Sequence, residues 1–217
     1  MRQDCSIELF QYWNSLRGTR PAPRRVEVEP AEIRTLLADT FILERDTNGD
    51  AVFRLAGTRL CAAYGRELKG LSFISLWDDR DQKLISKLVQ NTFEEQAVVV
   101  VDYHGISERG RQETFELMLL PLDGGTEAPR CLGVSSSAEK PFWLGADLLV
   151  SAQIDGIRMI DPDREADNLH RAAVAAPTLV PDETVLGIEP SGARRVRHLL
   201  VLEGGREENA QNNAFED

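Results

Sequence analysis

The sequence predicts an α+β fold, a five-stranded antiparallel sheet with helices inserted between strands two and three, an amphipathic helix before it and a loosely structured tail after it. Three observations predict it. Two apolar, β-favouring runs in "TFILERDTNGDAVFRLA" flank Asn48-Gly49, residues able to take the positive φ angles of a tight turn. Three more β-like runs, "AVVVVDYHGI", "ETFELMLLPL" and "RCLGVSSSA", follow one another across turn chemistry at "SERGRQ" and "DGGTEAP", so neighbours pair antiparallel. Between the two groups, "DDRDQKLISKLVQNTFEEQ" repeats its apolar residues at helical spacing.

The first element is a helix over residues 6–16, where Leu9, Phe10, Trp13 and Leu16 make one apolar face and Asp4 or Ser6 serves as N-cap. Gly18, Pro21 and Pro23 end it. The stretch "RGTRPAPRR" then runs as an extended connector carrying Arg17, Arg20, Arg24 and Arg25, four guanidinium groups suited to an acidic surface. Pro30 opens a short helix over 31–37. After the hairpin, Gly57 breaks the second strand, and Leu60, Cys61 and Tyr64 fall on a short helix punctuated by Gly65 and Gly70. Asp78 caps the longer helix, which runs to about Gln96 with Leu84, Leu88 and Phe93, beside Ile85 and Val89, as its inward stripe. The third strand is apolar for five residues and the fourth alternates Phe115, Leu117 and Leu119 with Thr114, Glu116 and Met118, so one sheet face is covered by helices. These elements divide the chain into an N-terminal segment (1–38), a sheet domain (39–138) and an extension (139–217). Low order is expected of the extension, because its short apolar pieces are scattered among "DPDREADN", "AAPTLVPDE" and "GGREENAQNNAFED".

Charge narrows the function classes. The formal net charge is −11, with −4 in residues 1–138 and −7 in 139–217, and the single basic cluster Arg194-Arg195-Val196-Arg197 is short, so nucleic acid is not an expected partner. No run of about 18 apolar residues exists and "MRQDCSIELFQYW" lacks a signal-peptide core, so a cytoplasmic protein without membrane insertion is expected. Cys5, Cys61 and Cys131 are too few and too far apart for a disulfide framework or a zinc site, and they read as buried thiols. No nucleophile beside a base, no carboxylate pair away from helix ends and no phosphate cradle with a lysine stands out, so no catalytic residue, metal or enzymatic activity is assigned, and an enzyme with an unrecognised site is kept as a second alternative.

The strand–strand–helices–strand–strand–strand order resembles the PAS fold, and "LAGTRLCAAYGRELKGLSFISLW" resembles its signature region: Cys61 to Tyr64, then Gly65-Arg66-Glu67-Leu68, Gly70, and Ser72 to Leu76. More narrowly, "YWNSLRGTRPAPRRVEVEPAEI", "DTFILE", "FRLAGTRLCAAYGRELKG" and "RRVRHLLVLEGG" look like a family of stand-alone bacterial PAS proteins, mostly alphaproteobacterial and formerly of unknown function. The resemblance implies a non-catalytic regulator that works through protein contacts, for example with histidine kinases, and a homodimer formed through Leu9, Phe10, Trp13 and Leu16. It also places Phe41, Leu43, Phe53, Cys61, Tyr64, Phe73, Leu88, Val99, Phe115 and Leu117 around the usual ligand cavity. Nearly all ten are apolar, with Tyr64 the main polar handle, so a filled core is the favoured reading and a small-ligand sensor the alternative. No cofactor is expected: "RLCAAYG" lacks the Asn, Arg and Gln of the flavin-adduct motif, and none of His104, His170 and His198 lies on the helix that would ligate haem.

Overall fold

The hairpin at Asn48-Gly49 forms, joining β1 (Thr40–Arg45) to β2 (Ala51–Ala56). Asp46, which the dipeptide alone does not reveal, organises it: its Oδ1 accepts from the backbone N–H of Asn48 at 2.9 Å and of Asp50 at 2.8 Å. Gly49 sits at φ 91°, and a Cβ there would meet nothing within 4 Å, so substitution is resisted by the backbone alone. Gly49→Val is expected to destabilise the protein by about 1 kcal/mol, read as a lower urea midpoint at unchanged slope; an unchanged midpoint would show that the turn relaxes freely.

The computed structural model describes residues 1–124, 129–174, 194–196 and 199–201. It divides into two units, Met1–Ala175 and Ala176–Asp217. In the second, β7 (Arg194–Val196) and β8 (Leu199–Val201) pair antiparallel. What was expected of 125–128, 175–193, 197–198 and 202–217 lies outside the described residues.

In the first unit β3 (Val98–Ser107), β4 (Gln112–Leu122) and β5 (Arg130–Ser137) take the three later runs. A sixth strand, β6 (Leu149–Ile160), joins them, giving the order β2-β1-β5-β4-β3-β6 with every neighbour antiparallel. The expected count of five therefore grows by one, the sixth strand lying in the segment 139–217. In "LVSAQIDGIRMI" the alternation Val150, Ala152, Ile154 slips to Ile157, Met159 across Asp155-Gly156, so the run does not announce a strand alone, and β3 supplies its template through ten paired residues broken by two bulges. Beyond β6, α4 (Pro162–Val174) follows.

The alternation of β4 now has a physical meaning. Phe115, Leu117 and Leu119 enter a core on one face of the sheet, whereas Met118, Leu120 and Leu122 enter a second core on the other. The first core is closed by α2 (Thr58–Ala63), the 3₁₀ turn Phe73–Leu76 and α3 (Asp79–Glu94). Asp78 caps α3 as expected, accepting from the Arg80 N–H. The inward stripe is Ile85, Leu88, Val89 and Thr92; Leu84 is 42% exposed, because it lies about 100° round the helix from Ile85.

The second core is closed by α1 (Asp4–Arg17) and the connector after it. Gln3 holds the cap position of α1 and its own side chain makes no capping bond, so neither Asp4 nor Ser6 is the cap. The helix expected over 31–37 is a run of turns, held by bonds such as Ile33 N–H to Pro30 O (3.3 Å) and Leu36 N–H to Ile33 O (2.9 Å). Seven residues are too short to sustain an α-helix without strong packing.

A buried carboxylate ties these layers together. Glu116 of β4, 2% exposed, accepts from Arg158 Nη2 of β6 at 2.7 Å and from the N–H groups of Arg2 at 2.9 Å and Gln3 at 3.1 Å where α1 begins. Burial pushes its pKa up, but Ser6, Arg158 and the two N–H groups outweigh burial and hold it below the usual carboxylate range. The Ser6 hydroxyl acts from close by without meeting strict hydrogen-bond geometry. Arg158 also reaches Asp102 of β3 at 3.0 Å.

Candidate functional site

The region expected to hold a ligand lies in the first core, between the sheet and the α2–α3 layer. Glycines at positive φ, Gly65 at 64° and Gly70 at 81°, let the chain fold back twice within a few residues, which sets Tyr64, Leu68 and Phe73 against the sheet. Phe41, Phe53, Tyr64, Phe73 and Leu117 converge on one point. Leu43, Leu88, Val99 and Phe115 belong to the same core around them, and Cys61 is half-buried at its margin, with Sγ 3.9 Å from Ala56 O and 3.8 Å from Glu67 Oε1. Of the three thiols only Cys131 is fully buried, its pKa pushed by burial up to about 12.

Five further residues complete the lining: Leu60, Leu76, Trp77, Tyr103 and Ser135. Strand parity could have found two of them. Tyr103 shares a face with Val99 and Val101, and Ser135 shares one with Cys131. The rings interlock, Phe41 against Phe53 at 5.6 Å, Phe53 against Phe73 at 5.5 Å, Trp77 against Tyr103 at 5.0 Å.

What remains between them is a cavity of about 10 Å³, the room of roughly one water molecule, against ~300–1,000 Å³ for sites that enclose small organic ligands. Its polar groups stand together: the Tyr64 hydroxyl is among the lining, and the Tyr103 hydroxyl lies 2.8 Å from Ser135 Oγ. Burial pushes both phenols well above their ordinary range, so they stay protonated. Trp77 Nε1 is buried without a hydrogen-bond partner among the described residues. Among those residues no group of three His, Cys, Asp or Glu is placed to hold a metal.

The surface expected for assembly is placed differently. Leu9, Phe10 and Trp13 are almost fully buried against the chain's own sheet, with Val100, Met118, Leu120 and Val134 beneath them, and Leu16 is half-buried. The apolar face of α1 is thus consumed inside one chain, which corrects its assignment as an assembly face: a helix of that apolarity covers the sheet face that lies within its reach.

The connector arginines divide into two pairs. Arg17 is 6% exposed, stacks over Trp13 at 5.5 Å and pairs with Asp163 of α4. Arg20 binds Glu27 at 2.8 Å and Leu16 O at 2.6 Å, bracing the connector. Arg24 and Arg25 make no ion pair among the described residues, and Val26 beside them is 84% exposed. Elsewhere Arg59 pairs with the buried Asp39, and Arg66 is exposed without an ion pair among the described residues. No helix among the described residues is long and apolar enough to cross a membrane.

A family model described as PAS domain matches residues 1–136, and its matched region ends before β6 begins. Among solved structures, the chain is similar to the PAS domain of a protein from Colwellia psychrerythraea, at 18% identity over 52% of this chain and 100% of that one, with a TM-score of 0.38. It is also similar to the LOV protein of Rhodobacter sphaeroides, at 12% identity over 53% of this chain and 71% of that one, with a TM-score of 0.39. No curated protein matches.

Proposed function

The chain belongs to the PAS domain family, modules of sensing and signalling, and from that premise we propose that it is a non-catalytic cytoplasmic regulator that acts by binding other signalling proteins, histidine kinases among them. The observation that carries this reading is the filled core: with about 10 Å³ left among its rings, the chain is built to be read at its surface. The connector tip suits that role. Arg24 is exposed without an ion pair among the described residues and Val26 is 84% exposed, while Arg20, Glu27 and Asp123 hold the backbone around them. Such a pre-ordered tip meets an acidic partner surface at little entropic cost.

Affinity purification from the native host tests this. The wild-type chain is expected to capture a two-component signalling protein, and Arg24→Glu with Val26→Asp is expected to lose it at unchanged thermal midpoint. Capture that survives the double substitution would move the contact off the connector; repeated purification without any signalling protein would sink the reading itself. A core-ligand sensor remains the second reading, on the strength of the unpartnered Trp77 Nε1 beside the Tyr64 and Tyr103 hydroxyls. A stoichiometric extra mass in native mass spectrometry would favour it over the first.

A further inference from the structure

On the outer face of the sheet the covering layer stops short. Leu55, Ile42 and Leu132 stand in one cross-strand row over β2, β1 and β5. α1 covers the β4–β5 side, and the turns at 30–39 close on the β2 end at Gly57, leaving Leu55 49% exposed and Leu37 37% exposed. Between that row and the wall made by Val28, Ile33 and Leu37 lies a groove of about 350 Å³, within the range of small-molecule sites. The contrast with the filled inner core is more than thirtyfold in volume.

The groove has one charged group. Arg25 lines it, and its guanidinium has no hydrogen bond or ion pair among the described residues; Thr58 stands in the same lining with its hydroxyl unengaged there. A cation left without a counterion beside an aliphatic trough is complementary to an amphiphile with an anionic head and an unbranched apolar body. We propose that this groove binds a free single-chain aliphatic carboxylate, its chain on the Leu55–Ile42–Leu132 row and its carboxylate accepting from Arg25. The connector that carries Arg25 also presents Arg24 and Val26, so occupancy would be felt where a protein partner is expected, although the site stands without that reading.

Sodium dodecanoate, titrated below its micelle concentration and followed by calorimetry and methyl NMR, is the probe. One saturable site is expected, with shifts confined to Val28, Ile33, Leu37, Ile42, Leu55 and Leu132. Arg25→Gln should weaken binding about tenfold, the worth of one charge-assisted contact, and Leu55→Asp should abolish it. Both side chains are partly or wholly in water, so thermal midpoints should hold and report folding independently. Dodecyltrimethylammonium, of equal chain length and opposite charge, should not compete. The proposal is overturned by non-saturable uptake, by equal binding of the cation, by indifference to Arg25→Gln, or by shifts centred on Leu43 and Leu117, which would place the ligand in the inner core. A dimer held through these residues that dodecanoate leaves intact would assign the groove to a second copy and overturn it equally.

Discussion

Trp13→Ala is expected to destabilise the protein by about 3–5 kcal/mol, the range for deleting a fully enclosed aromatic side chain. Trp13 is 0% exposed and central to the outer core. Its Nε1–H donates to Pro121 O at 2.8 Å and its ring carries the Arg17 guanidinium. The substitution would therefore open a void, leave a β4 carbonyl without its donor, and loosen the Arg17–Asp163 link to α4. Urea unfolding measures the loss. The experiment also decides between two roles for α1: a variant that keeps its stability but changes oligomeric state would make the helix an assembly face, against the burial described above.

Arg158→Ala is expected to cost about 2–3 kcal/mol near neutral pH, the scale of losing a charged hydrogen-bond partner to a buried carboxylate. Arg158 is 30% exposed, so water replaces part of what it supplies, and Glu116 keeps the N–H groups of Arg2 and Gln3. The effect depends on pH in a definite direction. In the wild type Glu116 titrates below its unfolded value of ~4.3, so the stability it contributes is present above that pH and is lost as the pH falls through the lower folded value. Without Arg158, burial raises the folded pKa, and protonation removes the burden of an unpaired buried charge. The stability gap between wild type and variant should thus be widest near neutrality and narrow below about pH 4. A gap of equal size at pH 7 and pH 3 would exclude Glu116 as its origin.

Legibility in the sequence followed the strength of local chemistry. The hairpin could be read because Asn48-Gly49 sits between β-branched and aromatic residues, and α3 because Asp78 caps a periodic stripe. The inner core could be read in outline, since Phe41, Phe53 and Phe73 must be buried somewhere. Trp77 and Tyr103 were harder: each carries a polar atom that is equally at home in water, and only tertiary packing brings the two rings together at 5.0 Å. β6 escaped because its apolar alternation breaks at Asp155-Gly156 and its pairing with β3 spans dozens of residues. The role of α1 escaped for a related reason: an apolar helical stripe says that it will be covered and is silent on whether the cover comes from the same chain.

The two cores on opposite faces of the sheet each enclose one indole. Trp13 belongs to the outer core and Trp77 to the inner, while Trp143, half-buried under Arg111, packs against the margin of the inner core. Replacing Trp143 and one of the other two with phenylalanine leaves a single emitter in a chosen layer. Emission from Trp13 would then follow detachment of α1, and emission from Trp77 the loosening of the α2–α3 layer, so the two sides of one sheet become separately visible. Coincident transitions would establish that the layers melt as one cooperative body, and separated ones that a single chain holds two thermally distinct halves sharing one wall.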